Sequence, residues 1–72
     1  MIFTKKILSQ DWKNGEIIIP FSQHHIERPF VRFYEKTIEG DYLEIPIKTE
    51  ILPNKDVKIY NNLTSEGKLE IK

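Results

Sequence analysis

Between Pro29 and Thr49 the chain reads PFVRFYEKTIEGDYLEIPIKT, and apolar and polar side chains alternate along it with a period of two. Val31 and Phe33 fall on one side, with Phe30, Arg32 and Tyr34 on the other. After Glu39-Gly40-Asp41, Leu43, Ile45 and Ile47 share a side and Tyr42, Glu44, Pro46 and Lys48 oppose them. Such alternation predicts two half-buried antiparallel strands. Gly40 and Asp41 are residue types that tolerate the backbone of a tight turn. This hairpin is the centre of the expected fold.

The flanking segments carry the same period in shorter pieces. Ile2 to Leu8 predicts a first strand, interrupted by Lys5 and Lys6. Ser9 to Gly15 reads as a loop that ends on Asn14-Gly15, a strong hairpin signal. Glu16 to Phe21 predicts a strand with Ile17, Ile19 and Phe21 inward; Pro20, with no amide hydrogen, puts it at an edge or ends it. Ser22 to Arg28 is polar, with room for a helical turn before Pro29. Glu50 to Asp56 contains a Pro-Asn turn, Val57 to Asn61 a strand, Asn62 to Gly67 a second turn, and Lys68 to Lys72 a closing strand. The expected core is Ile17, Ile19, Val31, Phe33, Leu43, Ile45, Ile47, Val57, Ile59, Leu69 and Ile71. The prediction is an all-β fold, a small antiparallel β-sandwich or partly open barrel of six or seven short strands.

Composition narrows what such an object can do. At 72 residues the chain makes one domain, with a thin core. Cysteine is absent, which points to a reducing compartment or to support from an oligomeric partner. Eleven basic and eleven acidic residues cancel, so no net field favours nucleic acid or an anionic membrane. The longest apolar run, Ile17 to Ile19, is far short of a bilayer span, and MIFTKKILSQ lacks the h-region of a signal peptide. The expectation is a protein cytoplasmic when made, binding neither nucleic acid nor membrane.

The order of features adds a resemblance. An Asp11-Trp12 pair near Gly15, a GEIIIP strand ending at Pro20, a loop holding His24 and His25, then Pro29, Val31 and Tyr34 in a P-x-V-x-x-Y strand follow one another. The later Asp56 to Ile59 and Gly67 to Ile71 strands continue the series. This run resembles small β-modules of phage tail-fibre and baseplate proteins, and covers most of the chain from Trp12 onward. The resemblance implies a structural or accessory protein that works by assembly, either incorporated in a virion or free-standing.

Candidate chemistry is sparse. Adjacent histidines on an extended segment point to opposite sides, and a structural zinc site would want cysteine; no metal or cofactor is expected, and His24-His25 reads as a loop that caps or packs against the sheet. Glu35, Glu39, Asp41 and Glu44 surround the central hairpin. Glycoside hydrolysis needs two carboxylates about 5 to 9 Å apart in a sugar-binding cleft, which a sandwich of this size rarely provides, so they read as a charged rim. Ser22, Thr64 and Ser65 sit in turns without a glycine elbow or a partnered acid. No catalytic residue is assigned, and the protein is expected not to be an enzyme.

The aromatic residues are more informative. Trp12, the sole tryptophan, reads either as a lid over one end of the core or as an interface anchor. Phe30, Arg32, Tyr34, Tyr42 and Tyr60, with Ile18, fall opposite the core side. That composition fits an interface core, or a face partly covered by a loop. The expected function is therefore protein–protein assembly with a protein partner or as a homo-oligomer, through Trp12, Phe30, Arg32, Tyr34, Tyr42 and Tyr60. Two alternatives are carbohydrate or cell-surface recognition, with Trp12, Tyr34 or Tyr42 stacked on sugar rings, and a small phage-encoded inhibitor of a host protein.

Overall fold

The computed structural model describes residues 2–72 and contains seven strands. They are β1 (Phe3–Ile7), β2 (Glu16–Ile19), β3 (Val31–Lys36), β4 (Tyr42–Ile45), β5 (Lys48–Ile51), β6 (Val57–Tyr60) and β7 (Gly67–Ile71). A 3₁₀ turn (Ser9–Asp11) follows β1, and a one-turn helix, α1 (Phe21–His24), follows β2. Two antiparallel sheets result, a four-stranded one in the order β1-β7-β3-β4 and a three-stranded one in the order β2-β6-β5. The fold is an all-β sandwich of short strands, as the alternation predicts.

Period two sets the faces. Along β7, Gly67, Leu69 and Ile71 are buried and Lys68 and Glu70 are not; along β6, Val57 and Ile59 are buried and Lys58 and Tyr60 are not. Ile17 and Ile19 from β2 and Phe33 from β3 join them, so the two sheets bury one shared core. Val31, Ile45 and Ile47 pack on its margin.

Gly67 has a specific reason to be glycine. A Cβ at that position would lie 2.1 Å from the Tyr34 carbonyl oxygen and 3.0 Å from the Phe33 ring. The missing side chain lets β3 and β7 close up and gives the Phe33 ring its place.

Three expectations need correction. The second arm of the central hairpin is not one strand: β4 ends at Ile45, and after Pro46 and Ile47 the chain enters the other sheet as β5, paired with β6. The pairing with β3 stops at Ile45, just before Pro46, whose ring restricts the backbone where the chain leaves for the other sheet. Leu43, expected inside, is 60% exposed. It sits on an edge strand, next to the turn, while Ile45 two residues on reaches the margin of the core. The strand expected from Glu16 to Phe21 stops at Ile19, and Phe21 opens α1, its N–H bonded to Asp56 Oδ1 at 2.8 Å.

The Asn14-Gly15 turn forms. Both residues have positive φ (54° and 76°), and Lys13 and Glu16 exchange backbone bonds of 2.8 and 3.0 Å. The hairpin is a single bridge, because β1 and β2 belong to different sheets.

Candidate functional site

The registers of β7, β3 and β4 bring four of the expected site residues to one surface. Tyr34 lies opposite Lys68 on one side and Glu44 on the other; Arg32 lies opposite Glu70; Tyr42 lies opposite Lys36. All face away from the core, because their neighbours Val31, Phe33 and Leu69 face into it. Phe30, just before β3, is tied in by reciprocal backbone bonds with Lys72 (3.0 and 2.9 Å) and is 57% exposed.

The charges on this face are laid over its rings. Lys68 Nζ is 5.4 Å from the Tyr34 ring centre and 5.3 Å from that of Tyr42, so one ammonium serves two rings. The Arg32 guanidinium stands 5.4 Å over Phe30, with its Nε 3.8 Å from Glu44 Oε2. That Nε is shielded from water and has no hydrogen-bond partner among the described residues. Exposed cation–ring contacts are worth about 0.5–1 kcal/mol each, enough to hold long side chains in place.

The other two site residues lie elsewhere. Tyr60 is on the outer side of the three-stranded sheet, opposite Glu16 and Lys48, and does not join the surface of Phe30, Tyr34 and Tyr42. Its hydroxyl donates to Glu50 Oε1 at 2.7 Å, and Lys48 and Lys58 approach its ring at 5.1 and 5.2 Å. Ile18 is on that same outer side, half exposed. Trp12 is a core residue. It is 6% exposed, its ring meets Phe33 edge-on at 6.0 Å, and its Nε1–H donates to the Ser65 carbonyl at 2.8 Å. It closes the core and is not available to stack on a ligand.

His24 carries more structure than its loop position implies. It is 1% exposed, edge-on to Phe21 (5.4 Å) and Phe3 (6.5 Å). The Ile26 N–H donates to its Nδ1 at 3.0 Å, which leaves Nε2 as the protonated nitrogen, donating to the Lys55 carbonyl at 3.0 Å. His24 thereby joins α1 to the β5–β6 loop. His25 takes the left-handed backbone (φ 56°) that ends α1.

The hairpin carboxylates do not form a pair. Glu35 shares a side with Leu43 and accepts from Ser65 Oγ at 2.5 Å, while Glu44 is on the outer face beside Arg32. Among the described residues, no three His, Asp or Glu side chains gather where they could hold a metal. A shallow groove of about 290 Å³ runs along β2, lined by Asp11, Lys13, Glu16, Ile17 and Ile18. Asp11 is already committed there, accepting from the Leu8 N–H at 2.8 Å. Comparison with protein-family models, with curated proteins and with solved structures finds no match.

Proposed function

We propose that the chain is a non-enzymatic binding module, of the kind found in phage tail and baseplate assemblies, that docks a protein partner through the outer face of its four-stranded sheet. The observation that carries this reading is the group Phe30, Arg32, Tyr34 and Tyr42 on one continuous surface. Aromatic residues and arginine are enriched at the centres of protein interfaces, where they bury large areas at small entropic cost. Arg32 suits that role: its planar guanidinium stands over Phe30 and beside Glu44 on the outer face. Lys6, Lys36 and Glu70 lie on the same outer side, a polar rim that could set register with a charged partner. Sugar stacking draws less support, since Trp12 is buried and Lys68 already stands over both tyrosine rings.

The test is comparative affinity capture from the cell that makes the protein, with the parent chain and a Phe30→Ser, Tyr42→Ser variant. Both side chains are largely exposed, so the melting temperature should stay close to that of the parent. The expected result is a protein partner held by the parent and lost by the variant. A partner retained equally by both would overturn the assignment of this face, and a variant that unfolds would show these side chains to be structural.

A further inference from the structure

The outer edge of β4 has an unpaired backbone in a defined register. Phe30 exchanges bonds with Lys72, and the Lys36 N–H donates to Glu66, so even-numbered residues of β3 bond toward β7. Odd-numbered ones bond toward β4, as the Thr37 N–H does to the Asp41 carbonyl at 2.7 Å. Pairs alternate between bonded and non-bonded in an antiparallel ladder, so Leu43 and Ile45 direct their N–H and C=O groups at β3. Those of Tyr42 and Glu44 point to the open side, where no strand of the described residues pairs with them. Pro46, next in that outward series, has no N–H to leave unpaired.

Open edges are commonly blunted by lysine, by bulges or by cover. β1 carries Lys5 and Lys6, β5 begins with Lys48, and the start of β2 is tied to Lys13. β4 carries no basic residue, and its Leu43 is an exposed apolar side chain on the core-facing side.

We propose that a second copy of the chain pairs with this edge, β4 against β4, antiparallel about a two-fold axis at Leu43. Only residues with outward-pointing groups can bond across the axis, so it falls at Leu43, setting Tyr42 against Glu44, or at Tyr42 or Glu44; an axis at Tyr42 leaves Glu44 opposite Gly40, which lies in the turn outside the strand. Centring on Glu44 sets carboxylate against carboxylate and brings Pro46, which cannot donate, opposite Tyr42. Centring on Leu43 avoids both. Tyr42 and Glu44 then exchange N–H···O bonds with Glu44 and Tyr42 of the second copy. Each Glu44 then flanks Tyr42 of the second copy on the outer face, with Lys68 over that ring and Lys36 on its far side. The two Leu43 side chains meet as a non-bonded pair, the closer of the two kinds, and cover one another. The four-stranded sheets of the two copies become one, with the faces bearing Phe30 and Tyr34 side by side.

Sedimentation equilibrium at rising concentration tests this, and is expected to give a monomer–dimer equilibrium that Leu43→Lys weakens about tenfold or more. Phe30→Ser, on the other side of the sheet, should leave that equilibrium in place. Leu43→Cys adds a geometric readout, since the chain has no cysteine of its own. Cα atoms of a non-bonded antiparallel pair lie about 4.5 Å apart, within the roughly 4.4–6.8 Å of a disulfide. Leu43→Cys should therefore oxidise to a covalent dimer about tenfold faster than Ile38→Cys, an exposed control in the hairpin turn. A parent that sediments as a monomer throughout, or a Leu43→Cys chain no faster than the control, overturns the proposal. So does a dimer that survives Leu43→Lys and is lost with Phe30→Ser; that result would move the contact to the outer face and leave the proposed function standing.

Discussion

At the scale of single residues, Gly67 and Tyr60 make the sharpest predictions. A methyl group at Gly67 would meet backbone, the Tyr34 carbonyl, which cannot rotate aside as a side-chain tip can. Gly67→Ala should lower stability at or above the top of the usual overpacking range of about 1–3 kcal/mol, read from the urea midpoint. An unchanged midpoint would mean that β3 and β7 separate at little cost. Tyr60 reports on alkaline pH. Donation to the Glu50 carboxylate, and then partial burial, hold its phenol above the ordinary value of 10.0. Lys58 is likewise raised above 10.5, chiefly by its bond to Glu16. Both groups favour folding fully below their ordinary values, and that contribution is lost as pH rises through the values of the folded protein. Stability should therefore fall in a window that opens near pH 10, and Tyr60→Phe should make the fall shallower. Tyrosinate absorbance should show Tyr60 titrating above its ordinary value, and Glu50→Gln should move it back toward that value.

At the scale of elements, burial that repeats with period two is legible and burial set by distant backbone is not. β3, β6 and β7 are read correctly because each has a buried side and a polar side within one sheet. The passage from β4 to β5 escapes the same reading. A chain that changes sheets keeps its alternation, so Leu43, Ile45 and Ile47 look like one face while serving two sheets. Trp12 and His24 are held by carbonyls 53 and 31 residues away, and no local pattern announces such partners. Ile7 was hidden by the two lysines before it, of which Lys6 is exposed and Lys5 half-buried on the same side as Ile7. The outer surface was legible for Phe30, Arg32, Tyr34 and Tyr42, which follow from the register of one hairpin. Tyr60 faces outward as expected but on the other sheet, because which outer surface it joins depends on strand order. The central strand gives the decisive element-level test. Phe33 is fully buried between Trp12 and Gly67, and Phe33→Ala should cost about 3–5 kcal/mol, measured by chemical denaturation. A loss below about 1 kcal/mol would mean that the ring is not central to the core.

At the scale of the molecule, that single loss is comparable with the whole stability of a small domain, about 5–15 kcal/mol. Phe33→Ala should therefore show a large unfolded fraction by circular dichroism under conditions where the parent is folded. The margin is narrow because the core is thin and the chain has no disulfide to restrain its unfolded state.

The position of β7 has a further consequence, for synthesis. β7 lies between β1 and β3, so the four-stranded sheet has no centre until Gly67–Ile71 is available. On the ribosome, β1 leaves the exit tunnel before its partner and waits, unpaired, until Gly67–Ile71 follows. Through that interval the edges of β1 and β3 are open to chaperones, proteases and neighbouring nascent chains. Placing Lys5 and Lys6 on the strand that waits longest keeps it from pairing with the wrong neighbour until its own arrives.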